Sequence, residues 1–202
     1  MTGRRTTIRG RETKAAFEAA ARKVIAEKGF LNMTVADIAR ESGRSAASFY
    51  NYYDSKEDLL AHWAGEFRAD ARTRGAGAFE RGLSNRDRVS LGARAHVETY
   101  RDHLAEMVGV FQLAMVNADF AKYWQELCEE AISGIAAMIT RAQSDGFCPG
   151  VDPWQSATAI VAMLNHYCYE HYSAGGVANG VGDEEVIATV TEIWFRAVYW
   201  KV

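Results

Sequence analysis

Apolar residues recur three and four positions apart along almost the whole chain, in runs broken by glycines or by helix-capping residues. That period belongs to helices that each bury one face, so the chain is expected to be all-α. Residues 12–28 place Phe17, Ala21, Val24 and Ile25 on one stripe, and Gly29 stops it. Thr34 opens a short helix with Asp37 three residues on, an acidic variant of the capping box, and Gly43 sits just past its end. Ser45 caps a third helix that runs to about Tyr52. Ser55, with Asp58 at the third position, caps a fourth over 55–74 that carries Leu59, Leu60, Trp63 and Phe67 inward. Further runs cover 86–103, 104–116, 120–144, 153–172 and 184–199. A glycine-rich stretch separates 75–84, and GGVANGVG breaks the chain before the last run. About nine helices are expected: three short, clustered ones first, then a larger helical body.

The chain of 202 residues is 49% hydrophobic and can bury a core of its own; a chain of this size buries roughly 70% of its unfolded surface. Its net charge of −3 is unevenly spread, because residues 1–60 hold eleven Lys/Arg against eight Asp/Glu and the remainder is acidic. Residues 1–11 carry Arg4, Arg5, Arg9 and Arg11 and no acid. Residues 1–10 therefore read as a flexible basic arm that tracks phosphates, or as a solubilising tail. Cys128, Cys148 and Cys168 have neither metal nor redox-motif spacing and are expected to be reduced thiols. No apolar run reaches membrane-spanning length and no signal-peptide hydrophobic region opens the sequence, so a soluble cytoplasmic protein is expected. Catalytic signatures are missing: no glycine-rich phosphate loop, no GxSxG elbow, no HExxH. Glu129, Glu130 and Glu170 do not make a di-iron pattern, and His166 and His171 are five apart, off the best spacing for a shared metal. No cofactor, metal or enzymatic activity is expected.

Two short helices around Gly43 and a three-residue turn form a helix-turn-helix candidate, whose second helix would enter the major groove of double-stranded DNA. Ser45, Ala46, Ala47 and Ser48 are small enough to let that helix end approach the duplex. An alanine methyl can pack on a thymine methyl, and a serine can bond a base edge or a phosphate. The free N–H groups at the helix start can also receive a phosphate. Phe49 should point inward, Tyr50 should share the exposed face of Ala46 and Ala47, and Lys56 could hold a phosphate. The plainer reading is a small helical core with capping serines.

The segment TVADIARESGRSAASFYNYYDSKEDLL closely resembles the N-terminal domain of TetR-family transcriptional regulators. The resemblance rests on Gly29-Phe30, the run from Thr34 to Ala39, Gly43, Ser45, the aromatics Phe49, Tyr50, Tyr52 and Tyr53, and Lys56 with Leu59 and Leu60. It covers about residues 12–63; the remainder agrees in length and helix number only. Many members carry a larger polar residue where Ala46 stands, and phenylalanine more often stands where Tyr53 does. The resemblance implies phosphate or backbone contacts for Thr34, Ser45, Tyr50, Tyr52 and Lys56. It places Arg44, Ala46, Ala47 and Ser48 nearest the bases. Arg44 is the only long donor among them, a candidate guanine reader or else a phosphate clamp or a solvated arginine. The four N-terminal arginines could reach the minor groove. The implied domains are a flexible basic arm over 1–10, a DNA-binding domain over 11–54 and a helical effector-binding and dimerisation domain over 55–202.

The resemblance further implies a homodimer through the last two helices. Trp154, Ala157, Ile160, Val161, Leu164, Val190, Ile193, Trp194 and Ala197 are its candidates, with intrachain core as the alternative for each. The same body is expected to hold a pocket. Met107, Phe111, Met115, Tyr123, Trp124, Tyr167, Tyr169 and Tyr172 are its candidate walls, and His96, His103, Asn165, His166 and His171 its polar points. The implied effector is small, largely apolar, with an aromatic, steroid-like or acyl part. The expected function is a ligand-responsive regulator, most simply a repressor released from a palindromic operator. An activator or dual regulator of the same fold, or a non-catalytic helical interaction module, are the alternatives.

Overall fold

The computed structural model describes residues 8–173 and 180–202. Among them run nine α-helices: α1 (Ile8–Asn32), α2 (Val35–Ser42), α3 (Ala46–Phe49), α4 (Lys56–Gly75), α5 (Asn85–Asp102), α6 (Leu104–Ala114), α7 (Ala118–Ser144), α8 (Pro153–Ser173) and α9 (Asp183–Val198). A 3-10 turn, Ala76–Phe79, occupies the glycine-rich stretch between α4 and α5. The described residues contain no strand, and none of their helices is long and apolar enough to cross a membrane.

α1 begins earlier than its stripe suggests. Arg9 and Arg11 lie on its exposed first turns rather than in a flexible arm before it, while Arg4 and Arg5 fall outside the described residues. Most of GGVANGVG falls outside them as well. Gly29, at φ 76°, breaks α1 where a side chain would be strained and would meet Gln112 of α6 at 3.1 Å. The break turns Phe30 inward, and its N–H donates to Gln112 Oε1 at 2.8 Å.

The acidic capping box of α2 forms in both directions. Asp37 N–H donates to Thr34 Oγ1 at 3.2 Å, and Thr34 N–H donates to Asp37 Oδ2 at 2.9 Å. Gly43 closes the helix in the left-handed conformation at φ 65°. Ser45 accepts from Ser48 N–H at 3.1 Å and starts α3, which is a single turn. Beyond Phe49 the chain tightens: Asn51 and Tyr52 donate three residues back, so the expected helix to Tyr52 ends early. Ser55 caps α4 through Asp58 N–H at 3.0 Å.

Two clusters of buried side chains follow. The first joins Phe17, Ala21, Val24 and Ile25 of α1 with Ile38 of α2, Phe49 of α3, Leu59, Leu60 and Trp63 of α4, and Val110 and Leu113 of α6. The second joins Phe67 of α4 with the inner faces of α5, α7, α8 and α9. Each buried Leu or Phe contributes about 1.5–3 kcal/mol over its exposed state. α4 therefore belongs to both clusters, its first two turns in one and Phe67 in the other. In the second cluster α7 packs on α8 and α5 on α9.

Candidate functional site

Phe49 is fully buried and meets Phe17 edge-on, with centroids 5.4 Å apart. This contact fixes the rotation of α3, so its opposite face is presented outward. Arg44, Ser45, Ala47 and Tyr50 are exposed there, and Ala46 and Ser48 are half-buried. The Arg44 guanidinium has no partner among the described residues, and Tyr50 is 56% exposed. Ser45 accepts from Ser48 and keeps its own hydroxyl proton to give. Tyr52 is half-buried, 6.0 Å from the Phe17 ring, and Tyr53 is buried, donating to Glu18 Oε1 at 2.6 Å.

Two residues expected to face phosphates have their donors engaged inside this unit. Thr34 Oγ1 donates to Asp37 Oδ2 at 2.6 Å, and its backbone N–H donates to the same oxygen. Lys56 Nζ donates to the carbonyls of Phe30, Leu31 and Met33 at 3.1, 3.2 and 2.8 Å, and sits 4.8 Å from the Phe30 ring centroid. All three ammonium protons thereby close the end of α1 against α4. Asp37 also accepts from Arg40 at 2.6 Å and from Lys28. Lys28 chiefly, with Thr34, holds its carboxyl well below the usual carboxylate range.

The helical body holds a partly open cavity of about 570 Å³ between α4, α5, α7 and α8. Its walls are mostly apolar: Phe67, Ala71, Tyr100, Met107, Trp124, Leu127, Ile135 and Met138 among them. Ala95 and Ala131 line it with small side chains, while Gly92 and Gly134 make room for the Trp194 and Phe79 rings, which a Cβ would meet at 3.0 and 3.3 Å. Charged residues on the wall include Arg68 and Arg72, both joined to Glu130, together with Arg88, Arg141 and Asp145. His96, Asn165 and Cys128 contribute polar groups. Burial pushes the Cys128 thiol up to about 11 and holds His96 down at about 4.

Of the side chains read from the sequence as walls, Met107 and Trp124 line this cavity, and of the polar points, His96 and Asn165 do. The others stand elsewhere. Phe111 and Met115 are exposed, Phe111 leaning on Trp124 at 5.3 Å. Tyr123 packs toward the first cluster, His166 is exposed, and Tyr167, Tyr169 and Tyr172 are half-buried against the second. His171 is buried against Tyr172, and His103 lies in an ion network. Phe67, Gly92, Tyr100, Cys128 and Gly134 also line the cavity, and none of them is among the walls or polar points read from the sequence. For Gly92 and Gly134 the signal was a glycine inside a helical run, which marks a close approach of another element; Phe67 and Tyr100 share the spacing of any core aromatic and carry no such mark.

The dimer candidates also divide. Ala157, Ile160, Val161, Leu164, Val190 and Trp194 are buried in the chain's own core. Trp154 and Ile193 are 44% and 50% exposed, and Ala197 is exposed. Ala159 and Ala162 on α8 and Ala188 on α9 are exposed as well. Among the described residues no group of three His, Cys, Asp or Glu is placed to hold a metal ion.

Residues 19–62 match the profile described as bacterial regulatory proteins, tetR family, and residues 89–200 that of the C-terminal domain of the transcriptional regulator EthR. The HTH-type transcriptional regulator EthR of Mycolicibacterium smegmatis is 26% identical over 194 residues, 94% of this chain and 88% of that protein. The HTH-type transcriptional regulator BetI of Agrobacterium fabrum is 29% identical over 163 residues, 78% of this chain and 75% of its own. Among solved structures, the ketosteroid transcriptional regulator KstR2 of Mycobacterium tuberculosis superposes with a TM-score of 0.77 at 17% identity, covering 97% of this chain and 98% of that one. A tetR-family bacterial regulatory protein from Rhodococcus RHA1 gives 0.75 at 22% identity, with 94% and 98% covered.

Proposed function

This chain belongs to the tetR family of bacterial regulatory proteins, and from that premise we propose a homodimeric repressor that leaves a palindromic operator when a largely apolar effector fills the cavity. The family makes it a DNA-binding transcriptional regulator and not an enzyme. Arg44, Ser45, Ala47 and Tyr50 would meet the duplex, with Arg44 the candidate base reader. The exposed small residues of α8 and α9, with Trp154 and Ile193, would form the twofold interface and set two reading heads about 34–36 Å apart.

The observation that carries this reading is the position of α4. The helix supplies Phe67 and Ala71 to the cavity wall and Leu60 and Trp63 to the core behind the reading head. A ligand that moves α4 thus moves the head. Release requires different effector affinities in the two head positions; a hundredfold difference is about 2.8 kcal/mol of coupling, and equal affinity shifts nothing. The test is binding of the purified protein to genomic fragments, including those flanking its own gene, over a salt series. A short palindromic footprint that resists competitor DNA supports the proposal. Absence of a specific site at every salt concentration sinks it.

A further inference from the structure

Two cavity-wall residues, His96 and Trp194, carry a buried ring nitrogen without a hydrogen-bond partner among the described residues, and only His96 can offer either a proton or a lone pair. His96 lies on the inward face of α5, on the wall shared with Asn165 and Trp194. Its ring stacks near Tyr100 at 6.2 Å. Its polar neighbour is the Asn165 side chain, whose Nδ2 in turn contacts Cys128 Sγ at 3.7 Å. The His96 Nε2 is buried and has no hydrogen-bond partner among the described residues. Leaving such a group unpaired costs about 1–3 kcal/mol, so a phenylalanine here would serve the core better.

The surroundings define what a partner must be. Burial keeps the ring neutral at physiological pH, and no charged group acts on it. A neutral imidazole offers one N–H and one lone pair. An ionic group placed against His96 itself would lose water to a neutral ring that no charged group approaches, at several kcal/mol, whereas the cavity's charged residues act elsewhere than on this ring. The χ2 torsion of histidine is broad, so the nitrogen can turn toward an incoming group.

We propose that His96 is the specificity-determining contact for the effector, and that the effector carries an uncharged oxygen function, a hydroxyl or ketone, on an apolar body. Asn165 is a positioning residue that holds the ring. The proposal rests on the cavity being the effector site.

The test uses the full-length protein and five probes of equal chain length: decane, 1-decanol, 2-decanone, decanoate and decylammonium. Trp124 and Trp194 line the cavity, so a change in the intensity or wavelength of tryptophan emission reports occupancy. At neutral pH the alcohol and the ketone should bind about tenfold more tightly than decane and than either ion, a factor within reach of one hydrogen bond made to an otherwise unpaired group. His96→Phe should erase that advantage while decane binds as before. His96→Gln should keep part of it, and Asn165→Ala should reduce it. Thermal melts establish that each variant is folded, and if His96→Phe fails to fold, the ranking on the natural protein decides. Tightest binding of decanoate or decylammonium, an advantage that survives His96→Phe, or no binding of any probe would each overturn the proposal. The operator footprint is read separately. A footprint without the ranking defeats this inference alone, whereas the ranking without any footprint defeats the regulator.

Discussion

The Arg22 guanidinium of α1 donates to Glu106 Oε1 of α6 at 2.8 Å while lying 4.4 Å from the centroid of the Trp63 ring of α4. One side chain thus joins the helix behind the reading head to two helices of the body. Glu106 is 2% exposed, so its charge depends on this partner and on His103. Arg22→Leu should lower stability by about 2–4 kcal/mol, below the full value for an unpaired buried charge because Arg22 is itself partly exposed. Glu106→Gln, which removes the charge, should cost less. Urea titrations of both variants check this, and a larger loss for Glu106→Gln would contradict it.

His103 bridges the same region, with Nε2 3.0 Å from Asp70 Oδ2 of α4 and Nδ1 3.9 Å from Glu106. Glu106 chiefly, with Asp70, raises its pKa above the ordinary 6.5. A raised folded pKa gives stability that is complete below 6.5 and is lost as pH rises through the folded value. The melting temperature should therefore fall as pH rises above 6.5 through the folded value, and His103→Gln should flatten that part of the profile. An unchanged slope in the variant would assign the pH dependence to another group.

Arg44 and Lys56 should separate cleanly when mutated. Arg44→Ala removes an exposed, unpartnered guanidinium, so it should leave the melting temperature unchanged and relax base preference by about 1–3 kcal/mol at one operator position. Lys56→Met strips three carbonyls of their donor. It should lower the melting temperature, while the salt dependence of DNA binding by the folded fraction stays as it was. A salt slope reduced by about one in Lys56→Met would instead make that ammonium a phosphate contact.

Gly109 of α6 faces Leu60 of α4 so closely that a Cβ there would lie 2.9 Å from Leu60 Cδ1. Leu60 is fully buried and cannot swing clear. Gly109→Ala should cost about 1–3 kcal/mol of stability by calorimetry or urea titration, despite its better helix propensity. A stabilised variant would mean that the α4–α6 contact gives way easily.

The capping residues Thr34, Ser45 and Ser55 and the glycines 29 and 43 were legible in the sequence because their physics is local: each marks an end by its own side chain or backbone. The inward stripes of α4, α5 and α7 were legible for the same reason. The cavity was not. Whether Met115 or Met107 meets a void depends on which helix lies opposite, and an exposed Phe111 has the same helical spacing as a buried one. The engagement of Lys56 was hidden as well, because its acceptors at Phe30, Leu31 and Met33 come into reach only once Gly29 has turned the chain.

The double membership of α4 has a consequence for exchanging parts between proteins of this kind. A cut after residue 54 would leave Phe17 and Phe49 without Leu59, Leu60 and Trp63, so a transplanted recognition element would arrive with its floor missing. A graft must carry α4 with it, and with α4 comes part of the cavity wall. Swapping what such a chain reads therefore also perturbs what it senses, and the two specificities drift together rather than as independent cassettes.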